Sequence, residues 1–131
     1  MADTARSPGV TRQIPRNQWR AYLDRFTREH LRADPPEIVT VEVLSAGAGD
    51  QYQSRGERLL GLTYDDKNAL IEVLLENVDH LVYRPVELWV IEEPDGFIST
   101  MELQRADGTK ELIHIQRSES IATYGDAAAP P

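Results

Sequence analysis

Beyond the adjacent prolines Pro35 and Pro36, this chain shows next to no helical spacing of its apolar residues. That boundary constrains the fold more than any other feature, because it confines helix to the N-terminal part and leaves the rest to strands and turns. Ahead of it, "NQWRAYLDRFTREHL" carries Trp19, Tyr22, Leu23, Phe26 and Leu31 near one stripe, at steps of three, four and seven. The pattern predicts an amphipathic helix with Asn17 as its cap, and with Arg20, Asp24 and Arg28 on the opposite face. The prolines close it, since a residue preceding proline is pushed out of the α basin.

From Glu37 to Gln116 the pattern is that of β-structure. "EIVTVEVL" alternates Val39, Val41 and Val43 against Thr40 and Glu42, which gives one buried and one wet face. "SAGAGDQYQSRG" reads as a flexible connection, and "ERLLGLTYD" as a second strand with Leu60, Leu62 and Tyr64 on one side and Gly61 at a bulge or a close backbone approach. "DDKN" is a turn, "ALIEVLLE" a third strand and "VELWVIEE" a fourth; the interrupted "HLVYRP" between them is a bend or an edge. "EPDG" and "ADG" are hairpin turns around "FISTMELQR", and "KELIHI" closes the set. The expectation is an α+β fold: an N-terminal helix followed by five or six mainly antiparallel strands in a small curled sheet or barrel, an Sm-like barrel included.

A chain of 131 residues fits one domain with its own core. Residues 1–12 and 117–131, rich in Ala, Ser, Pro, Gly and charge without periodicity, read as mobile tails around a domain at 13–116. Cysteine is absent, which excludes disulfides, thiolate metal sites and thiol catalysis. No apolar run reaches the roughly 18 residues a membrane span needs, and the N-terminus has no signal-peptide stretch, so the reading is a soluble, cytoplasmic protein. Charge is unevenly divided: residues 1–36 hold seven arginines against four acidic residues, and 37–131 hold seven basic against eighteen acidic. A basic start and an acidic body most simply attract each other within one fold; otherwise the start meets an anionic partner.

The residues that could carry chemistry are few. No HxxxH, HxH or HExxH spacing joins the three histidines. His30 falls at the helix end and His114 alternates with Leu112 on the last strand, both structural readings; a metal site from His80, His114 and a carboxylate would need distant strands to converge. Asp79 and His80 could act as an acid/base pair, yet neighbours on an extended strand point to opposite faces. Ser45, Ser54 and Ser99 lack a nucleophile elbow, and the pairs Asp65/Asp66 and Glu92/Glu93 fall where solvated charge is expected. No catalytic residue, metal or cofactor is therefore assigned. Arg20, Arg25 and Arg28 are the anion-facing positions of the helix, and Asp79, His80 and Arg84 at the "NVDHLVYRP" corner could offer an acceptor, a switchable donor and a bidentate cation to a small polar or anionic ligand.

"IPRNQWRAYLDRFTREH", "VTVEVL", "LLGLTYDDKNALIEVLLENVDHLVYRPVELWV" and "STMELQRADGTKELIHI" together resemble an uncharacterised bacterial family of small proteins, defined only as a domain of unknown function. The pattern is an Ile-Pro-Arg-x-x-Trp helix start, a Tyr-Asp-x-Lys turn at Tyr64, Asp65 and Lys67, an Asp-His-Leu-x-x-x-Pro corner at Asp79, His80, Leu81 and Pro85, and a late Asp-Gly hairpin. The resemblance covers residues 14–116. Members often carry His before that proline where this chain has Arg84, which weakens any two-histidine mechanism there. The family implies no activity, ligand or cofactor.

The functional expectation is a non-enzymatic cytosolic accessory or protein-interaction module, binding another protein or itself through a sheet edge or the groove beside the helix. Two alternatives stand beside it. One is an Sm-like RNA binder, which the acidic β-body disfavours; the other is an enzyme or small-ligand binder at Asp79, His80 and Arg84.

Overall fold

The computed structural model describes residues 9–31, 37–45, 47 and 49–117. The chain opens with strand β1 (Val10–Ile14), passes through a 3₁₀ turn (Arg16–Gln18) into helix α1 (Trp19–His30), and continues as β2 (Glu37–Ser45), β3 (Gly49–Asp65) and β4 (Leu70–Leu75). It ends with β5 (His80–Tyr83), β6 (Pro85–Glu92), β7 (Ile98–Arg105) and β8 (Lys110–Gln116). All eight strands lie in one sheet, in the order β1-β6-β7-β8-β2-β3-β4-β5. Every pairing is antiparallel.

Among the described residues the hydrogen-bonded ladder does not close, so the sheet runs from β1 to β5 and the closed-barrel alternative gives way to an open sheet. It is nonetheless strongly curled, because β5 and β6 stand near opposite ends of the order yet are separated in the chain by Arg84 alone. Two strands exceed the expected number. β5 is the four-residue edge anticipated at "HLVYRP"; β1 was hidden because only Ile14 of "VTRQI" is buried, so the segment carries no apolar alternation. Its pairing with β6, from Val10 opposite Glu92 to Ile14 opposite Leu88, draws residues 10–12 out of the expected tail and into the sheet. Of the C-terminal tail only Arg117 lies among the described residues.

Helix α1 buries Trp19, Tyr22, Leu23 and Phe26, the predicted stripe, while Leu31 packs against the core from its end. Each such side chain contributes up to about 1.5–3 kcal/mol of apolar transfer. Asn17 does not cap the helix: it sits inside the 3₁₀ turn, where Gln18 N–H already bonds Pro15 O at 2.8 Å and no side chain caps the start. The entry is held instead by Trp19, whose Nε1–H donates to Ile14 O at 2.7 Å and whose ring meets Tyr64 edge-on at 5.1 Å. Further along, the Thr27 hydroxyl donates to Leu62 O at 3.0 Å and accepts from Leu62 N–H at 2.9 Å, clipping α1 to β3.

β3 departs most from expectation. The segment anticipated as a flexible connection is mostly strand from Gly49 onward, because pairing with β2 supplies the order that its Gly/Asp/Gln/Ser composition does not advertise. Bulges interrupt that ladder between Val39 and Glu42, and Gly56, at φ 69°, takes a left-handed conformation there. A third irregularity against β4, between Leu59 and Gly61, inserts one residue and reverses the parity of the strand. Leu59 and Leu62 therefore point inward and Leu60, assigned to the core by simple alternation, is 47% exposed. Gly61 is both the bulge and the close approach anticipated: a Cβ there would lie 3.4 Å from Leu74 Cδ1 and 3.5 Å from Thr27 Cγ2.

Candidate functional site

The "NVDHLVYRP" corner is first a structural joint. Arg84 adopts φ 50°, in the left-handed region, directly before Pro85. Both features are unfavourable for a side-chain-bearing residue, by about 1–2 kcal/mol for the first. The backbone is fixed from both sides: Arg84 N–H donates to Ala69 O at 2.7 Å, and Arg84 O accepts from Ala106 N–H at 2.9 Å. Pro85 can begin β6 because a strand's first residue is one of the positions where the missing N–H is tolerated.

Behind the corner lies a chain of charged groups that links four strand or turn positions. Glu111 is 1% exposed and shares the inward face of β8 with Ile113 and Ile115. Its Oε1 lies 2.5 Å from His80 Nε2, and its Oε2 accepts from Arg105 Nη1 at 3.0 Å. Arg105 Nη2 in turn donates to Asp107 Oδ2 at 2.8 Å, while Asp107 Oδ1 accepts the Thr109 N–H of the hairpin turn at 2.9 Å. The turn's hydrogen bond from Thr109 is the main reason the Asp107 carboxyl is held below the usual carboxylate range, with Arg105 adding to it. A buried carboxylate is costly unless partnered, and here each oxygen faces a side-chain nitrogen. Arg105 Nε is buried without a hydrogen-bond partner among the described residues.

In front of this chain opens a cleft of ≈ 290 Å³ lined by Tyr83, Arg84, Arg105, Ala106 and Asp107. Of the three residues singled out from sequence, only Arg84 lines it. His80, 17% exposed, is turned inward onto Glu111. Asp79 is exposed ahead of β5 and makes none of the bonds that hold His80, so Glu111 is the carboxylate partner that adjacency had suggested for Asp79. Glu111 was legible in "KELIHI", because alternation that sends Ile113 and Ile115 inward must send Glu111 with them.

The same parity places His114 on the outer face, 3.3 Å from Glu42 Oε1, so His80 and His114 do not converge and the distant-strand metal site is not assembled. His30 stacks on Phe26 at 5.3 Å between ring centroids and meets Phe97 edge-on at 5.7 Å. Ser99 Oγ donates to Ile91 O, a backbone tie. Arg20, Arg25 and Arg28 are exposed along α1, with Arg25 lying 5.7 Å from the Tyr22 ring.

Part of the basic N-terminal segment is absorbed within the fold. Glu92 accepts from Arg12 Nη2 at 2.9 Å and from the Tyr22 hydroxyl at 2.5 Å. Burial alone would raise the Glu92 carboxyl, but the two donors outweigh it and leave it below the usual range. The Tyr22 hydroxyl is pushed well up, first by burial and then by its bond to Glu92. Arg16 reaches Pro85 O at 3.2 Å and lies 4.7 Å from the Trp19 ring, so it braces the corner from the helix side. Glu92 and Glu93 are thus paired groups, Glu93 with Arg117 at 3.5 Å.

Fold and site define a small α+β protein: one helix laid on an open antiparallel sheet, with a charged joint at the corner between β5 and β6. The chain belongs to the family of unknown function DUF5335, whose model matches residues 10–123. It is 37% identical over 108 residues to an uncharacterized protein of the bacterium Aquifex aeolicus (strain VF5), a match covering 82% of this chain and 93% of that protein. The family resemblance read from the sequence is borne out. No solved structure matches the chain.

Proposed function

We propose that the protein is a non-enzymatic, cytosolic accessory module that binds another protein by adding an extended segment of it to the outer edge of β3. One observation carries this reading. β3 runs for 17 residues, but β4 pairs only with Leu59–Asp65, so among the described residues Gly49–Gly56 is bonded on one side alone, by β2, and leaves its other edge open. Eight residues of strand make an edge of about 25 Å, enough to template a partner strand through main-chain bonds. Tyr52, exposed and overlain by Arg55 at 3.8 Å from its ring centroid, offers an anchor beside that edge. Bulges bend the arm, a known protection against indiscriminate edge pairing, which suits a selective partner better than self-association.

Among the described residues no helix is long and apolar enough to cross a membrane. The test is capture of partners from native cytosol with the full chain, followed by amide hydrogen exchange on the complex. The expected result is a stoichiometric protein whose binding protects amides within Gly49–Gly56 and is lost in Gln53→Pro, with the melting temperature of that variant changed by only a few degrees. Protection elsewhere, retention of the partner by Gln53→Pro, or an eluate dominated by salt-sensitive RNA would refute it, the last in favour of the Sm-like alternative.

A further inference from the structure

We propose that the cleft at the β5–β6 corner binds a small oxyanion, a carboxylate or phosphate group, through Arg84 and Arg105, with Asp107 as a resident competitor. Four observations converge on it. The first is the cavity itself: at ≈ 290 Å³ it is near the small end of ligand clefts, about 300 Å³, and two of its five lining residues are arginines.

The second is Arg84. Its backbone is pinned by bonds to Ala69 and Ala106 in a conformation that glycine would adopt at no steric cost, yet the position carries a long cation. No side-chain hydrogen bond or ion pair occupies its guanidinium among the described residues. A strained residue kept at a cleft is a reason to look for work done by its side chain.

The third is Arg105, which Glu111 holds from behind at 3.0 Å while His80 braces Glu111 at 2.5 Å. A guanidinium anchored on a buried carboxylate loses little further freedom when it takes a second oxyanion, so the fork is pre-organised. The fourth is Asp107, whose 54%-exposed side chain already sets a carboxylate oxygen 2.8 Å from Arg105 Nη2. It shows the kind of group this side of the fork accepts, and shows that a ligand must displace it. The site read from sequence at Asp79, His80 and Arg84 is thereby redrawn: Arg84 stays as a direct contact, His80 becomes a positioning residue acting through Glu111 and Arg105, and Asp79 drops out.

The experiment is titration of the full chain, isotopically labelled, with inorganic phosphate and separately with acetate, at fixed ionic strength set by chloride. Expected are saturable amide shifts confined to Tyr83, Arg84, Arg105, Ala106 and Asp107. Arg84→Gln, which removes the charge while keeping a polar side chain, weakens the response at least about fivefold, as loss of a charge-assisted contact should. Asp107→Asn keeps the oxygen that accepts Thr109 N–H but removes the competing charge, and tightens binding about threefold or more. Saturation by phosphate alone identifies a phosphate-bearing ligand, and saturation by acetate as well identifies the wider carboxylate class. Shifts that stay linear or spread beyond the corner, wild-type affinity in a folded Arg84→Gln, or weaker binding in Asp107→Asn would each overturn the proposal.

Discussion

Removing His80 and Arg105 together should cost more than the sum of removing each. Glu111 is 1% exposed, and its two oxygens are divided between these partners. His80→Ala leaves the carboxylate with Arg105, and Arg105→Ala leaves it with His80, so each single variant loses one charge-assisted bond, about 1.5–2 kcal/mol. Both partners are partly exposed, so water already screens these bonds, which keeps the figures at the low end. The double variant strands a buried charge with neither partner, which places it in the upper part, about 4–5 kcal/mol, of what breaking a buried ion pair costs, against about 3–4 kcal/mol for the two single losses added, and relief should follow from also changing Glu111 to Leu. The expected signature is an excess of about 1 kcal/mol over additivity in the double variant, then recovery in the triple, in urea unfolding with unchanged m-values. At about 3–5 °C per kcal/mol for a domain of this size, the double variant should melt some 10–20 °C lower. Additivity within about 0.5 kcal/mol, or a triple variant no better than the double, would show that Glu111 is rehydrated rather than held and would remove the electrostatic account of the corner.

Other perturbations test separate parts of the structure. Glu92 is depressed in the folded protein, so its contribution is present above its unfolded value near 4.3 and is lost as pH falls through the lower folded value; Glu92→Gln should be less stable at pH 7 and flatter between about pH 5 and 3 in acid titrations followed by circular dichroism. Thr27→Val leaves the Leu62 N–H and C=O without their clip and should cost about 1–3 kcal/mol in chemical denaturation, with faster exchange of the Leu62 amide. Ala69 carries φ 52°, so Ala69→Gly should stabilise the fold by about 0.5–1 kcal/mol of relieved strain net of glycine's unfolded-state entropy, read as a higher melting temperature. Gly61→Val drives branched methyls toward Leu74 and Thr27 and should destabilise by about 1–3 kcal/mol in the same assay.

The elements with strong periodicity were legible in the sequence, and the misses have physical causes. α1 and the alternating strands β2, β4 and β6 to β8 follow from apolar spacing, and the turns at Asp65, Asp95 and Asp107 from residues that bond their own backbone, as Asp65 does to Lys67 and Asn68. β1 and the arm of β3 were not legible, because an edge strand with few apolar residues is ordered by its neighbour's backbone and leaves no hydrophobic trace. Leu60 was placed on the wrong side because a bulge changes parity without changing composition. At the site, Arg84 was visible as a cation at a proline corner and Glu111 was available to strict alternation. Arg105 was not, since a strand-end arginine beside a turn reads as solvated charge until its partner across the β7–β8 hairpin, Glu111, is known to be buried.

The strand order also sets how the chain can assemble. β2 to β5 and β6 to β8 are two runs of consecutive antiparallel strands, each built from contacts between near neighbours in sequence. The seam between them is β2 against β8, where Val41 faces Ile113, and β1 must find β6 across a similar span. Such separations carry a high loop-closure entropy and slow the steps that depend on them. The two runs should therefore form as local units whose joining limits the folding rate. Arg84, the single residue tying one run to the other, leaves β5 and β6 little freedom relative to each other, which should shorten the search for the long seam.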